Sequence, residues 1–138
     1  MPYLNIDDGM DEHEKVEALS DAAFRLHMSA MLFCSRKLTD GFVSLSRARR
    51  LTASGGDGTA AELVKAGVWH DIGEGCPSAD CVEARTCQES GRPGHYLVHD
   101  FLQWNHSAHW WTERRRRDQE RQAEWRRKRG KEPKKVRK

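Results

Sequence analysis

Leu38-Thr39-Asp40-Gly41-Phe42-Val43-Ser44-Leu45-Ser46-Arg47-Ala48-Arg49-Arg50-Leu51 is the stretch on which the fold turns. Thr39, Asp40 and Gly41 supply a turn, and Gly41-Phe42-Val43-Ser44 reads as a very short extended segment. Ser44 is placed to cap a helix from Leu45 to about Leu51, whose outer face carries Arg47, Arg49 and Arg50. Upstream, Ser20 is a good N-cap, and Asp21 puts negative charge in a first helical turn. Phe24, Met28 and Met31 recur at helical spacing, and His27, Met31, Cys34 and Leu38 extend that face, which predicts a helix ending near residues 39–41. Residues 3–20 read as an acidic, partly helical lead-in.

Downstream, Thr52-Ala-Ser-Gly-Gly-Asp-Gly is a loop. Thr59 opens a third helix through Ala66, closed by Gly67. Val68-Trp69-His70-Asp71-Ile72 alternates with the period of a half-buried strand. A polar stretch with glycines and cysteines fills residues 73–94, and Tyr96 to Leu102 supplies a second strand, giving a hairpin with an enlarged tip. The order is helix, short strand, helix, helix, strand, wing, strand. It predicts an α+β, mainly α fold: a winged helix-turn-helix with an enlarged wing. Ser107 caps a last helix from Ala108 to about Arg129, with Gly130 and Pro133 expected to stop it. The domains expected are a winged helix over residues 1–104 (wing insertion about 73–94), a basic helix over 105–130 and a disordered basic tail over 131–138.

Charge is unevenly spread. Of 24 Lys and Arg in 138 residues, 14 fall in residues 113–138 against 5 acidic residues, a net of +9. Residues 1–112 keep 10 basic against 16 acidic residues, a net of −6. A basic arm on an acidic body points to a polyanionic partner. Arg114, Arg115, Arg116 and Arg117 form one cluster, and Arg126, Arg127, Lys128 and Arg129 form another about three turns on. On a helix they suit phosphates, with affinity that falls as salt rises. Glu113, Asp118, Glu120 and Glu124 are interleaved, and a pair such as Glu113–Arg117 would support the helix. Trp125 among them argues for a contact. In the body, Thr59 and Lys65 sit on the helix expected to enter the major groove, with Glu62. That set is poor in base-reading side chains, and Arg47, Arg49 and Arg50 suit phosphates better.

Four cysteines occur. Cys34 lies in an apolar helical pattern and reads as a buried hydrophobe. Cys76, Cys81 and Cys87 crowd a polar stretch; with His95, separated from the last by seven residues, they offer four ligands for zinc, and His70 is the reserve fourth ligand. No nucleophile motif, phosphate loop or paired carboxylates appear, so the residues carry no catalytic site. No run approaches the ~18 apolar residues of a membrane span. The N-terminus lacks the basic start and apolar centre of a signal peptide, so a cytoplasmic protein without a membrane partner is expected.

The segments Leu19-Ser20-Asp21-Ala22-Ala23-Phe24-Arg25-Leu26-His27, Leu38-Thr39-Asp40-Gly41-Phe42-Val43, Ala61-Glu62-Leu63-Val64-Lys65-Ala66-Gly67-Val68-Trp69 and Tyr96-Leu97-Val98-His99-Asp100-Phe101 follow one another at telling intervals. Together they resemble the N-terminal winged-helix domain of phage and prophage replisome organisers, related to DnaD-type primosomal proteins. Short versions in actinobacterial phages end in a similar Arg-rich tail. The resemblance covers roughly residues 3–125 and departs from the family in its long, cysteine-bearing wing. It implies DNA binding in replication initiation or primosome assembly, without enzyme activity. A module docking a host or replisome protein, and a transcriptional regulator on the same fold, are the alternatives.

Overall fold

A computed structural model describes residues 2–53, 57–72 and 95–131. Two units divide the chain, residues 1–106 and 107–138. In the first, a 3₁₀ turn at Met10–Glu12 precedes α1 (Glu14–Glu17) and α2 (Asp21–Lys37). Then come β1 (Phe42–Ser44), α3 (Leu45–Leu51), α4 (Asp57–Lys65), β2 (Trp69–Asp71), β3 (His95–Val98) and α5 (Phe101–Trp104). The second unit contains α6 (Ala108–Lys131). The protein is α+β and mainly helical, with one small antiparallel sheet, as the sequence predicts.

Local chemistry explains most boundaries. The Ser20 hydroxyl accepts from the Ala23 N–H at 3.2 Å, satisfying a donor that the first turn of α2 leaves open. Arg36 and Lys37 place positive charge at the other end, where carbonyl dipoles favour it. The helix stops at Leu38, which is left-handed at φ 54°, and the Thr39 N–H returns to the Cys34 carbonyl at 3.1 Å. Asp40 and Gly41 also have positive φ, so the chain reverses within three residues. At Gly41 (φ +93°) a Cβ would lie 2.9 Å from Phe101 Cβ, so both backbone conformation and space call for glycine. Ser44 then caps α3 by accepting from the Arg47 N–H at 3.2 Å.

Strand order is β1-β3-β2. Phe42, Val43 and Ser44 pair with Leu97, Tyr96 and His95; Trp69, His70 and Asp71 pair with Val98, Leu97 and Tyr96. Because successive side chains alternate faces, Val43, Trp69 and Val98 turn to the helices and join Ala23, Leu26, Ala30, Met31 and Cys34 of α2, with Leu63 of α4, in one core. Ile72 and Leu97, with Phe42 against them, form a smaller cluster on the other face. The buried stripe of α2 is centred on Ala23, Leu26, Ala30 and Cys34, while Phe24 and Met28 sit at its margin. The stripe packs against α3, α4 and the sheet in that one core, an arrangement that apolar spacing alone does not reveal. Cys34 is 1% exposed, and burial raises its thiol to about 11, which keeps it an inert packing group.

Trp69 is fully buried, and its indole N–H donates to His27 Nδ1 at 3.1 Å. The bond joins α2 to β2 and satisfies a donor that would otherwise be costly to bury. Burial lowers His27 from the ordinary 6.5 to about 4, so its ring is neutral at physiological pH.

Three boundaries differ from expectation. The strand expected to reach Leu102 ends at Val98; Asp100 is left-handed at φ 58° and the chain turns into α5. Alternation over residues 96–102 fits this turn as well as a strand, because Phe101 still reaches the core while Leu102 and Trp104 are exposed. Helix α4 begins at Asp57, two residues before Thr59. Helix α6 passes through Gly130 to Lys131, since one glycine costs a helix only about 1 kcal/mol. Pro133 and the tail over 131–138, apart from the helical backbone of Lys131, lie outside the described residues.

Candidate nucleic-acid interface

Helix α3 is held by Ala48, 2% exposed, which leaves Arg47, Arg49 and Arg50 on its outer side. They are not equivalent. The Arg47 guanidinium lies over the Phe33 ring, 4.9 Å from its centroid, and is drawn back onto α2 by cation–π attraction. Arg49 and Arg50 occupy the last turn, where the helix dipole favours cations.

Helix α4 offers less than its sequence suggests. Lys65 is exposed at its end and Thr59 is half-buried. Glu62 caps another helix: its Oε1 accepts from the Ser20 N–H, and its Oε2 from the Ser20 hydroxyl, both at 2.7 Å. Those bonds hold the Glu62 carboxyl below the usual range, so it stays ionised and tied to α2. The link spans 42 residues and leaves α4 with Thr59 and Lys65 as its remaining polar candidates. Neither matches the bidentate geometry that distinguishes one base pair from another.

Helix α6 carries the densest charge. The Ser107 hydroxyl caps it, accepting from the Trp110 N–H at 3.2 Å. At 1.5 Å per residue its 24 residues span about 36 Å. Arg114, Arg115, Arg116, Arg117, Arg126, Arg127, Lys128 and Arg129 are all exposed. Consecutive residues are ~100° apart around a helix, so each cluster radiates around the axis and does not form a single stripe. Arg116 is held by carboxylates a turn away on either side, Glu113 at 2.9 Å and Glu120 at 2.7 Å. Glu113 therefore pairs with Arg116 and not with the expected Arg117. Hydrogen bonding and charge from Arg116 lower Glu113, and Lys128, 2.7 Å from Glu124, lowers that carboxyl. Asp118 pairs with Arg121, a cation that sequence reasoning left out of the candidate site.

A groove of about 350 Å³ runs along α6, lined by Trp110, Glu113, Arg114, Arg117, Asp118 and Arg121. At its head the Trp110 and Trp111 rings meet edge to face, centroids 4.8 Å apart. The Arg114 guanidinium lies 5.2 Å from the first ring centroid and 5.7 Å from the second. Farther along, Arg129 covers Trp125 at 4.5 Å. Two of these pairs, Trp110–Arg114 and Trp125–Arg129, have i,i+4 spacing, which the sequence already carried.

Cys76, Cys81 and Cys87 lie outside the described residues. The His95 backbone is in β3, opposite Ser44. His70 is 1% exposed, and its ring centroid is 4.5 Å from that of His99. Among the described residues no three His, Cys, Asp or Glu side chains are grouped to hold a metal ion, and no helix is long and apolar enough to cross a membrane. Compared with family models, curated proteins and solved structures, the chain finds no match in any of the three.

Proposed function

We propose that this protein binds nucleic acid through its basic helix, with residues 1–106 acting as a winged-helix domain that adds a second contact. One observation carries the reading: net positive charge is gathered onto α6, whose eight clustered cations are exposed while its few carboxylates pair along the same helix. Such a surface exchanges condensed counterions for protein cations, which gives affinity without sequence preference. Arg49 and Arg50 supply further phosphate contacts, and Arg47, Thr59 and Lys65 complete the proposed surface of the body. The element order and the β1-β3-β2 sheet support the winged-helix reading. With it goes the role implied by the replisome-organiser resemblance, replication initiation or primosome assembly; a transcriptional regulator would use the same surfaces. The reading assigns no reaction to the chain and a cytoplasmic location. It also assigns a zinc ion to Cys76, Cys81, Cys87 and His95 on cysteine spacing alone.

Titrating binding of a duplex over a salt series, with the full chain and with residues 107–138 removed, tests the reading. The full chain should bind more tightly and lose affinity more steeply as salt rises; equal curves would refute it.

A second reading, a protein-docking module, is favoured by a different observation. A cleft of about 190 Å³ is lined in part by Asn5, Ile6, His27, His99 and Trp104, and Ile6 and Trp104 remain 40% and 53% exposed. Exposed apolar residues beside a concavity are a common feature of protein interfaces.

A further inference from the structure

Trp125 meets the Arg129 guanidinium within its own helix and has no apolar residue one turn to either side. It is 56% exposed, and the residues one turn before and after it are Arg121, Gln122, Lys128 and Arg129. An amphipathic helix that docks in a protein groove needs apolar anchors at i, i+3, i+4 and i+7. Here one aromatic stands alone, so that mode gains a single side chain. A membrane surface needs an apolar face, which is missing for the same reason. What surrounds Trp125 is charge: residues 121–129 hold five cations and one carboxylate. The Arg129 guanidinium is already stacked over the indole, 4.5 Å from the ring centroid.

A flat, accessible aromatic within a cationic surface is the arrangement that single-stranded nucleic acids use, with a base stacked on the ring and neighbouring phosphates neutralised by the cations. A duplex keeps its bases stacked on one another and presents mainly phosphates and groove edges to a helix. We propose that Trp125 is a stacking platform for an unpaired base, with Arg129 held beside it to bridge ring and phosphate, so that α6 prefers single strands to duplex. The inference rests on the nucleic-acid reading of α6 and adds to it the form of the ligand. The phosphate contacts would be shared by all strands, and the indole supplies the discrimination.

The experiment uses the full chain with fluorescently labelled oligo-dT, oligo-U and a mixed-sequence duplex of equal length, with anisotropy read across a salt series. Trp125→Ala should weaken binding to single strands about tenfold and change duplex binding less than twofold, because one stacked base is lost and no phosphate contact is. Trp125→Phe, which keeps an aromatic face, should recover most of the loss. The salt slope should be the same for wild type and Trp125→Ala, since an indole releases no counterion. Comparison of oligo-dT with oligo-U tells whether DNA or RNA is preferred. Equal weakening of duplex and single strands, no weakening of either, or a phenylalanine variant as weak as the alanine one would overturn the stacking platform while leaving the basic-helix reading intact. Wild-type protein that binds none of the three probes would overturn both.

Discussion

Acidifying the protein from pH 7 to pH 5 should destabilise it through His27. Its folded-state pKa is about 4 and its ordinary value 6.5, so as pH falls the unfolded chain takes up the proton first. Stability that is complete above 6.5 is therefore lost progressively as pH falls towards 4. Between pH 7 and pH 5 the linkage cost is about 2 kcal/mol, and the full penalty below pH 4 is about 3 kcal/mol. For a unit of this size, 2 kcal/mol corresponds to a fall in melting temperature of about 8 °C. Differential scanning calorimetry and near-ultraviolet circular dichroism suit the measurement, because both report the packed core around Trp69. His27→Gln is the control. Its amide oxygen is able to accept from the Trp69 indole, but the side chain takes up no proton in this range. The variant should start less stable at pH 7 and show a flatter dependence down to pH 5. Both proteins share every other titrating group, so the difference between their slopes isolates His27. Parallel slopes, or a wild-type loss below about 2 °C, would refute the reasoning.

Other perturbations follow from the same structure. Replacing Arg114 to Arg117 with alanine should flatten the slope of log affinity against log salt by about three units for specific and random duplexes alike; an unchanged slope would make the helix a bystander. Ser20→Ala removes the cap of α2 and should cost about 1 kcal/mol in urea unfolding. Gly41→Ala forces a side chain against Phe101 at positive φ and should cost about 2 kcal/mol or more, seen as a lower urea midpoint at constant m. Zinc at Cys76, Cys81, Cys87 and His95 should appear as about one ion per chain by elemental analysis of protein purified without added metal; zinc-free protein with three titratable thiols would remove the assignment.

Features fixed by neighbours in sequence were legible before the structure. Ser20, Ser44 and Ser107 each announce a helix start, because a hydroxyl before a helical run meets donors only two or three residues away. Phe42-Val43-Ser44 is recognisable as extended between two turn signals. The strand's premature end at Val98 was not legible, because Phe101 reaches the core equally well from a helical turn. Nor was the engagement of Glu62, whose partner Ser20 lies on another helix. At the candidate interface the abundance of arginine was plain. Its distribution was not, because a run of four in sequence becomes four directions on a helix, and the carboxylates one turn away decide which guanidinium is engaged.

Asp71 and Tyr96 face one another in register on adjacent strands. The chain between them leaves and re-enters the sheet one strand spacing apart, whatever it carries in the interval. Core, turn at Gly41 and both flanking strands therefore tolerate a change of cargo there. Shortening the 22 residues of 73–94 to a four-residue turn alters the entropy of closing the loop by only about 1.5 kcal/mol, in favour of the shorter chain. The hairpin thus behaves as an insertion port. A foreign segment grafted between Ile72 and His95 would meet two strands already held in register.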